Sequence, residues 1–301
     1  MNVFGHLLVP LDGSTMAEQA ARLAVELARR CSARVTLLHV VEQDSPAQVH
    51  GQTHLRDAAQ AQDYLRRLAG QLSAAGDRID WHVHAQPARD TARGLGLHVE
   101  ELHADLIVMC AHGNVRLRDR LLGNLGQQLA AQVAVPVLLL RAGSGQAGTF
   151  PFRRILVPLD GQAEHERGLA MAADLAHACQ ACIRLVTVVS QSRSLPAGQT
   201  ASSLLLPGTT QRILDIQEQE ATDYLSRHVR LLREGGLDAS AQVRRGPPAS
   251  EIKSSAQEFQ ADLIVLTTHG KAGTEAFWSR SLPPKLLRRI PTAFLLVPVE
   301  R

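Results

Sequence analysis

The chain has 301 residues, enough for about two domains, and its 45% hydrophobic and 20% charged content is that of an ordinary globular protein. A formal charge of +3 carried mostly by arginine, with no dense basic run and only 3% aromatic residues, argues against nucleic acid as a partner and against a base-stacking surface. No apolar run approaches 18 residues and the first residues enter a strand pattern without a cleavable leader, so no membrane association and a cytoplasmic location are expected.

In chain order, His6-Leu-Leu-Val-Pro-Leu-Asp12-Gly-Ser14 reads as a strand ending in an Asp-Gly turn. Ser14 is placed to cap the next helix, whose small apolar residues Ala21, Ala24, Val25 and Ala28 recur at helical spacing. Val35 to Val41 reads as a second strand, with His39 as a core-edge residue. A long helix ending near Gly76 follows, carrying Ala58, Ala61, Leu65, Leu68 and Leu72. Trp81 to Ala85 reads as a short strand with His82 and His84 on one face; a metal site there lacks a third partner. Thr91 to His103 reads as a third helix. Asp105-Leu-Ile-Val-Met-Cys-Ala-His-Gly113 then reads as a buried strand running into a glycine turn. A helix from about Asn124 and a strand from Val135 to Leu140 complete the pattern. The proline near the start of this last strand suits an edge position.

The same order then repeats. Arg154 to Gln162 matches the first strand and turn at an offset of 148 residues, and Asp262-Leu-Ile-Val-Leu-Thr-Thr-His-Gly270 matches the glycine-turn strand at an offset of 157. Leu169, Ala172, Ala173 and Ala176 repeat the small apolar helix face, and Asp63-Tyr-Leu recurs as Asp223-Tyr-Leu. Each half is therefore β-α-β-α-β-α-β-α-β, which predicts a parallel sheet with helices on both faces. The expected organisation is a first domain over 1–142, a Gly-rich linker over 143–151 and a second domain over 152–301. Ser190 to Thr210 reads as a long loop. Cys179-x-x-Cys182 has the spacing of a redox pair but no second half, and packed thiols are the simpler reading.

A strand end, a glycine turn and a later Gly123-Asn124 together form a place where backbone N–H groups can face an anion. With these residues in view, both halves resemble the universal stress protein domain, and the whole chain resembles its tandem-domain members. The resemblance implies two tandem five-stranded parallel α/β sheets ordered 3-2-1-4-5, with the ligand crevice where the order reverses, between strands one and four. It further implies an adenine nucleotide, ATP with or without Mg²⁺, held by Gly-x-x-Gly, nine residues, then Gly-Ser or Gly-Thr.

In the first half this becomes Cys110-x-x-Gly113, nine residues, Gly123-Asn124. By resemblance Pro10 and Asp12 lie near the adenosine, Val40 meets adenine through its backbone, Met109 and Cys110 line the ribose side, and Gly113, Gly123 and Asn124 hold phosphate. The second half keeps Pro158, Asp160, Val188 and Gly270 but has Thr267 for the first glycine and Arg280-Ser281 for the last pair. It is expected to be degenerate. Also by resemblance, the two domains form a pseudo-dimer with strand five at their contact, and the chain is expected to form a homodimer. No catalytic set is evident. A stress-response or signalling role through nucleotide binding is the leading expectation. An interaction module dimerising through edge strands is the alternative, and a slow ATPase a weaker one.

Overall fold

In a computed structural model the described residues are 4–42, 48–49, 52–53, 55, 57–88, 90–111, 125–141, 152–189, 207–268 and 282–299. The chain divides into two compact units. The first comprises Met1–Pro151 with Thr268–Thr274 and Pro291–Arg301, and the second Phe152–Thr267 with Glu275–Ile290.

The first unit runs β1 (His6–Pro10), α1 (Thr15–Cys31), β2 (Arg34–Glu42), the short antiparallel pair β3 (Gln48–Val49) and β4 (Gln52–Thr53), α2 (Ala58–Leu72), β5 (Ile79–Ala88), α3 (Thr91–Glu101), β6 (Leu106–Ala111), α4 (Leu125–Gln132) and β7 (Val137–Arg141). Its parallel strands are ordered β5-β2-β1-β6-β7, which is the expected 3-2-1-4-5. β1 is buried along most of its length, as a strand covered on both faces should be. Against it packs the small-residue stripe of α1, where Ala20, Ala21, Ala24 and Leu27 are fully buried.

The second unit runs β8 (Arg154–Pro158), a 3₁₀ turn (Ala163–His165), α5 (Glu166–Cys179), β9 (Cys182–Val189), α6 (Pro207–Glu234), β10 (Ala239–Arg245), α7 (Pro248–Phe259), β11 (Leu263–Thr268) and α8 (Leu282–Arg289). Its strands are ordered β10-β9-β8-β11. The last strand of the second repeat, β12 (Ala293–Pro298), belongs to the first unit, where Phe294, Leu295 and Leu296 pair antiparallel with Leu139, Leu138 and Val137 of β7. β7 is therefore an interior strand, not the edge expected from its proline. Pro136 lies just before the paired residues, which begin at Val137, and its carbonyl accepts the Ile107 N–H at 3.0 Å, so the proline does not interrupt the strand. Residues 207–210, expected in a loop, form the first turn of α6, with Pro207 at the helix start where its missing N–H is no loss. The Gly-rich linker and residues 190–206 lie outside the described residues.

The repeated aspartate has a structural task. Asp105 Oδ2 accepts the Gly5 and His6 N–H groups at 2.7 and 2.9 Å, and Asp262 accepts those of Arg153 and Arg154 at 2.7 and 3.0 Å. Each ties the start of strand four to the start of strand one, at the end opposite the crevice. The repeated tyrosine is explained as well. Tyr64 donates to Glu18 at 3.2 Å and Tyr224 to Glu166 at 3.1 Å, so each fastens the long helix to the first turn of the helix after strand one.

Candidate functional site

At the carboxyl end of β1 the Leu11 N–H still reaches the Leu38 carbonyl at 2.8 Å, and then the chain turns away. Gly13 makes the turn at φ +89°, a conformation that disfavours any side chain, and a Cβ there would sit 3.0 Å from Leu55 Cγ. Asp12 Oδ1 closes the turn by accepting the Ser14 N–H at 2.9 Å. Buried Ser14 in turn accepts the Ala17 N–H at 3.2 Å and caps α1. The aspartate thus holds the turn with one oxygen while its carboxylate stands at the mouth of a crevice.

That crevice is a cavity of about 90 Å³. Pro10 and Asp12 from β1 and its turn, Val40 from β2, and Met109 and Cys110 from β6 all line it. Five of the eight residues expected in the first half are thereby brought together; Gly113, Gly123 and Asn124 lie outside the described residues. The remaining wall comes from residues that no local motif singled out. Ala17 of α1, Glu42 of β2, and Thr91 and Leu95 of α3 contribute, as does His39. His39 places Nδ1 2.7 Å from the Leu11 carbonyl and Nε2 3.2 Å from that of Leu55, so this buried ring pins the strand end rather than merely filling the core. Thr91 Oγ1 donates to Glu42 Oε1 at 3.1 Å and joins the start of α3 to the end of β2. These partners are distant in sequence, so only alternation in β2 and the helix start at Asp90-Thr91 could have hinted at them.

Burial, with a smaller contribution from the nearby Asp12 charge, pushes the Cys110 thiol up to about 11. It is therefore a neutral, packed group near pH 7, which disfavours an activated redox thiol here. All four cysteines are free, Cys179 and Cys182 among them. Cys179 is buried at the end of α5, while Cys182 donates to the Arg153 carbonyl at 3.3 Å.

The equivalent place in the second unit is built differently. Pro158 ends β8, Val188 lies in β9 opposite Arg244, and Asp160 keeps its turn by accepting the Gln162 N–H at 3.1 Å. The Asp160 carboxylate also receives His165 Nδ1, at 2.8 Å from each oxygen. His165 stands where Ala17 stands in the first unit, at the same offset of 148 residues. An imidazole thus occupies the carboxylate that in the first unit faces the cavity. The first turn of the helix has become 3₁₀, with no side-chain cap from Gln162. Thr267, in place of Cys110, donates to the His165 carbonyl at 2.8 Å and helps hold that turn. Gly168, in place of Ala20, makes room for it: a Cβ there would lie 2.5 Å from Thr267 Oγ1. Gly270 and Ser281 lie outside the described residues.

A family model described as the universal stress protein family matches residues 4–141 and again 151–298. The chain belongs to the universal stress protein family. It is 22% identical over 298 residues to a universal stress protein E homolog of Haemophilus influenzae, covering 91% of this chain and 90% of that one. A universal stress protein of Methanocaldococcus jannaschii is 26% identical over 148 residues, covering 48% of this chain and 82% of its own. Among solved structures, a universal stress protein from Archaeoglobus fulgidus superposes with a TM-score of 0.70 at 16% identity, covering 99% of this chain and 97% of that one. The tandem arrangement and the α/β fold are thus those of universal stress proteins. Among the described residues no helix is long and apolar enough to cross a membrane.

Proposed function

We propose that this universal stress protein binds an adenine nucleotide in its first unit and acts in stress response or signalling through that binding rather than through catalysis. The observation that carries this reading is the convergence of Pro10, Asp12, Val40, Met109 and Cys110 on one cavity at the reversal point of the strand order. The half-open cavity of about 90 Å³ is small against the roughly 300–1,000 Å³ of typical ligand pockets, and its lining residues are those proposed for the base and ribose side only. Gly113, Gly123 and Asn124 are the proposed phosphate holders. ATP is the proposed ligand, with any Mg²⁺ arriving on its phosphates.

The second unit is proposed not to bind, because His165 occupies Asp160. Catalysis is not part of the reading. The imidazole beside the cavity, His39, faces a backbone carbonyl with each ring nitrogen, only one of which a neutral ring can serve as donor, and this leaves it poorly placed as a general base. Calorimetric titration of nucleotide-free protein with ATP and Mg²⁺ tests the proposal. One site per chain is expected. Two sites would overturn the role given to His165. No binding at millimolar ATP would favour a protein-interaction module instead.

A further inference from the structure

Beyond the cavity, three histidines meet between β5 and α3. His98, on α3, is only 6% exposed. Its Nδ1 lies 2.9 Å from Glu101 Oε2 and its Nε2 lies 2.9 Å from Nδ1 of His84. The His82 ring is tilted against it with centroids 4.8 Å apart, and the His84 ring meets it edge-on at 4.9 Å. A carboxylate accepts, so His98 Nδ1 is the donor to Glu101. In the neutral ring Nε2 must then accept, and His84 Nδ1–H donates to it. The contact between His98 Nε2 and His84 Nδ1 holds one proton: it survives a charge on His98 only if His84 moves its own proton to Nε2, and it fails when both rings are charged. The rings bond to one another instead of converging on a point, and among the described residues no group of three such side chains is arranged to hold a metal ion.

We propose that His82, His84 and His98 form an acid-sensitive latch between β5 and α3, whose protonation loosens α3 and weakens nucleotide binding in the adjoining cavity. A proton on His98 Nε2 forces His84 to give up Nδ1–H for the other tautomer, and a second proton, on His84, sets N–H against N–H. The first proton would also place positive charge among neighbouring imidazoles with little water to screen it. The link to the cavity is helical. Thr91 and Leu95 line the cavity, and His98 follows them at i+7 and i+3 on the same face of α3. β5 is anchored beside the cavity too, since His84 pairs with Val40 and His82 with Leu38. The coupling to nucleotide rests on the function proposed above; the latch itself does not.

The charges around His98 set the sign. Burial, then His82 and His84, lower its pKa below the ordinary 6.5, against a smaller opposing pull from Glu101. The packed helix α4 brings no titratable side chain, β2 brings Glu42, already held by Thr91, and Asp80, two residues before His82 in β5, is exposed. The unfolded chain therefore binds the proton more readily than the folded one. The contribution of His98 to stability is complete above about pH 6.5 and is lost as the pH falls from there through its folded value. Buried His6 has a lowered pKa as well and acts in the same direction, so a difference between proteins isolates the cluster.

The test compares the wild type with His84→Gln, a change at a half-buried position. Histidine-selective NMR titration of the nucleotide-free protein should place His98 below 6.5, and His84→Gln should move it upward. The drop in thermal midpoint between pH 7.5 and 5.5 should be about 2–4 °C smaller in the variant. ATP affinity of the wild type should weaken about five-fold or more over that range, and by less in the variant. A His98 that titrates at or above 6.5, or identical pH dependence of stability in both proteins, would overturn the latch. A latch confirmed by NMR with equal pH dependence of ATP affinity would overturn the coupling. Absence of ATP binding at pH 7.5 would overturn the nucleotide reading and with it the coupling, while NMR and melting still decide the latch.

Discussion

The first unit keeps Ala17 beside Asp12 and has a cavity there; the second sets His165 against Asp160. The difference is not one residue but a matched set. The histidine needs its 3₁₀ turn, Thr267 holds that turn by its carbonyl, and Gly168 gives up a methyl group so that Thr267 fits. The first unit has Ala17, Cys110 and Ala20 at those places and a Ser14-capped α-helix. A duplicated scaffold can therefore rebuild its crevice while keeping its strand order, by changing the turn that follows strand one together with one residue at the end of strand four and one in the following helix. On the proposal that the second unit does not bind nucleotide, His165 is an obstacle separate from the missing glycines after strand four.

This contrast can be broken most severely by moving the plug. Ala17→His should lower ATP affinity in the first unit about a hundredfold or more, since it fills the cavity wall and offers Asp12 a partner; calorimetry would show it, with circular dichroism confirming the fold. The reverse change, His165→Ala, should free Asp160 and bring a second, weaker binding event if the plug is the main obstacle. Stoichiometry that stays at one per chain would shift the cause to Thr267 or to the residues after it. Smaller effects sharpen the structural half of the comparison. Gly168→Ala should destabilise the second unit by about 1–3 kcal/mol in denaturant melts, because the added methyl meets Thr267 Oγ1, and the double change with Thr267→Cys should recover most of that loss. Ser14→Ala should cost about 1 kcal/mol through the lost cap, whereas Gln162→Ala, where no side chain caps, should cost nearly nothing.

Much of this was legible in the sequence. The two strand-turn motifs, their offsets and the small-residue helix face specify the α/β order, because alternation and helical spacing are local signals. Of the cavity residues, Asp12, Met109 and Cys110 followed from strand ends and topology, whereas Pro10 and Val40 were expected from the family resemblance alone. Other features were not legible because they depend on partners far along the chain. His39 reads as core-edge in the sequence, and only the fold sets its ring nitrogens against the carbonyls of Leu11 and Leu55. His82 and His84 lacked a third member because His98 lies on a different element, and only folding brings it within 2.9 Å. His165 carried no motif, since its meaning rests on the alanine 148 residues earlier. The proline before β7 suggested an edge strand, which the pairing with β12 contradicts.

That pairing has a consequence for how the protein is made. The first unit's sheet includes Ala293–Pro298, so it is incomplete when its own repeat has been translated. At about 5–20 residues per second, the ribosome would need on the order of 10–30 s to deliver the missing strand. Through that interval β7 presents an unpaired edge, the kind of surface that recruits a neighbouring nascent chain or a chaperone. Expressed alone, the first repeat should carry the same open edge permanently, and a stop codon before Ala293 should produce a protein that self-associates rather than one that merely lacks its second half.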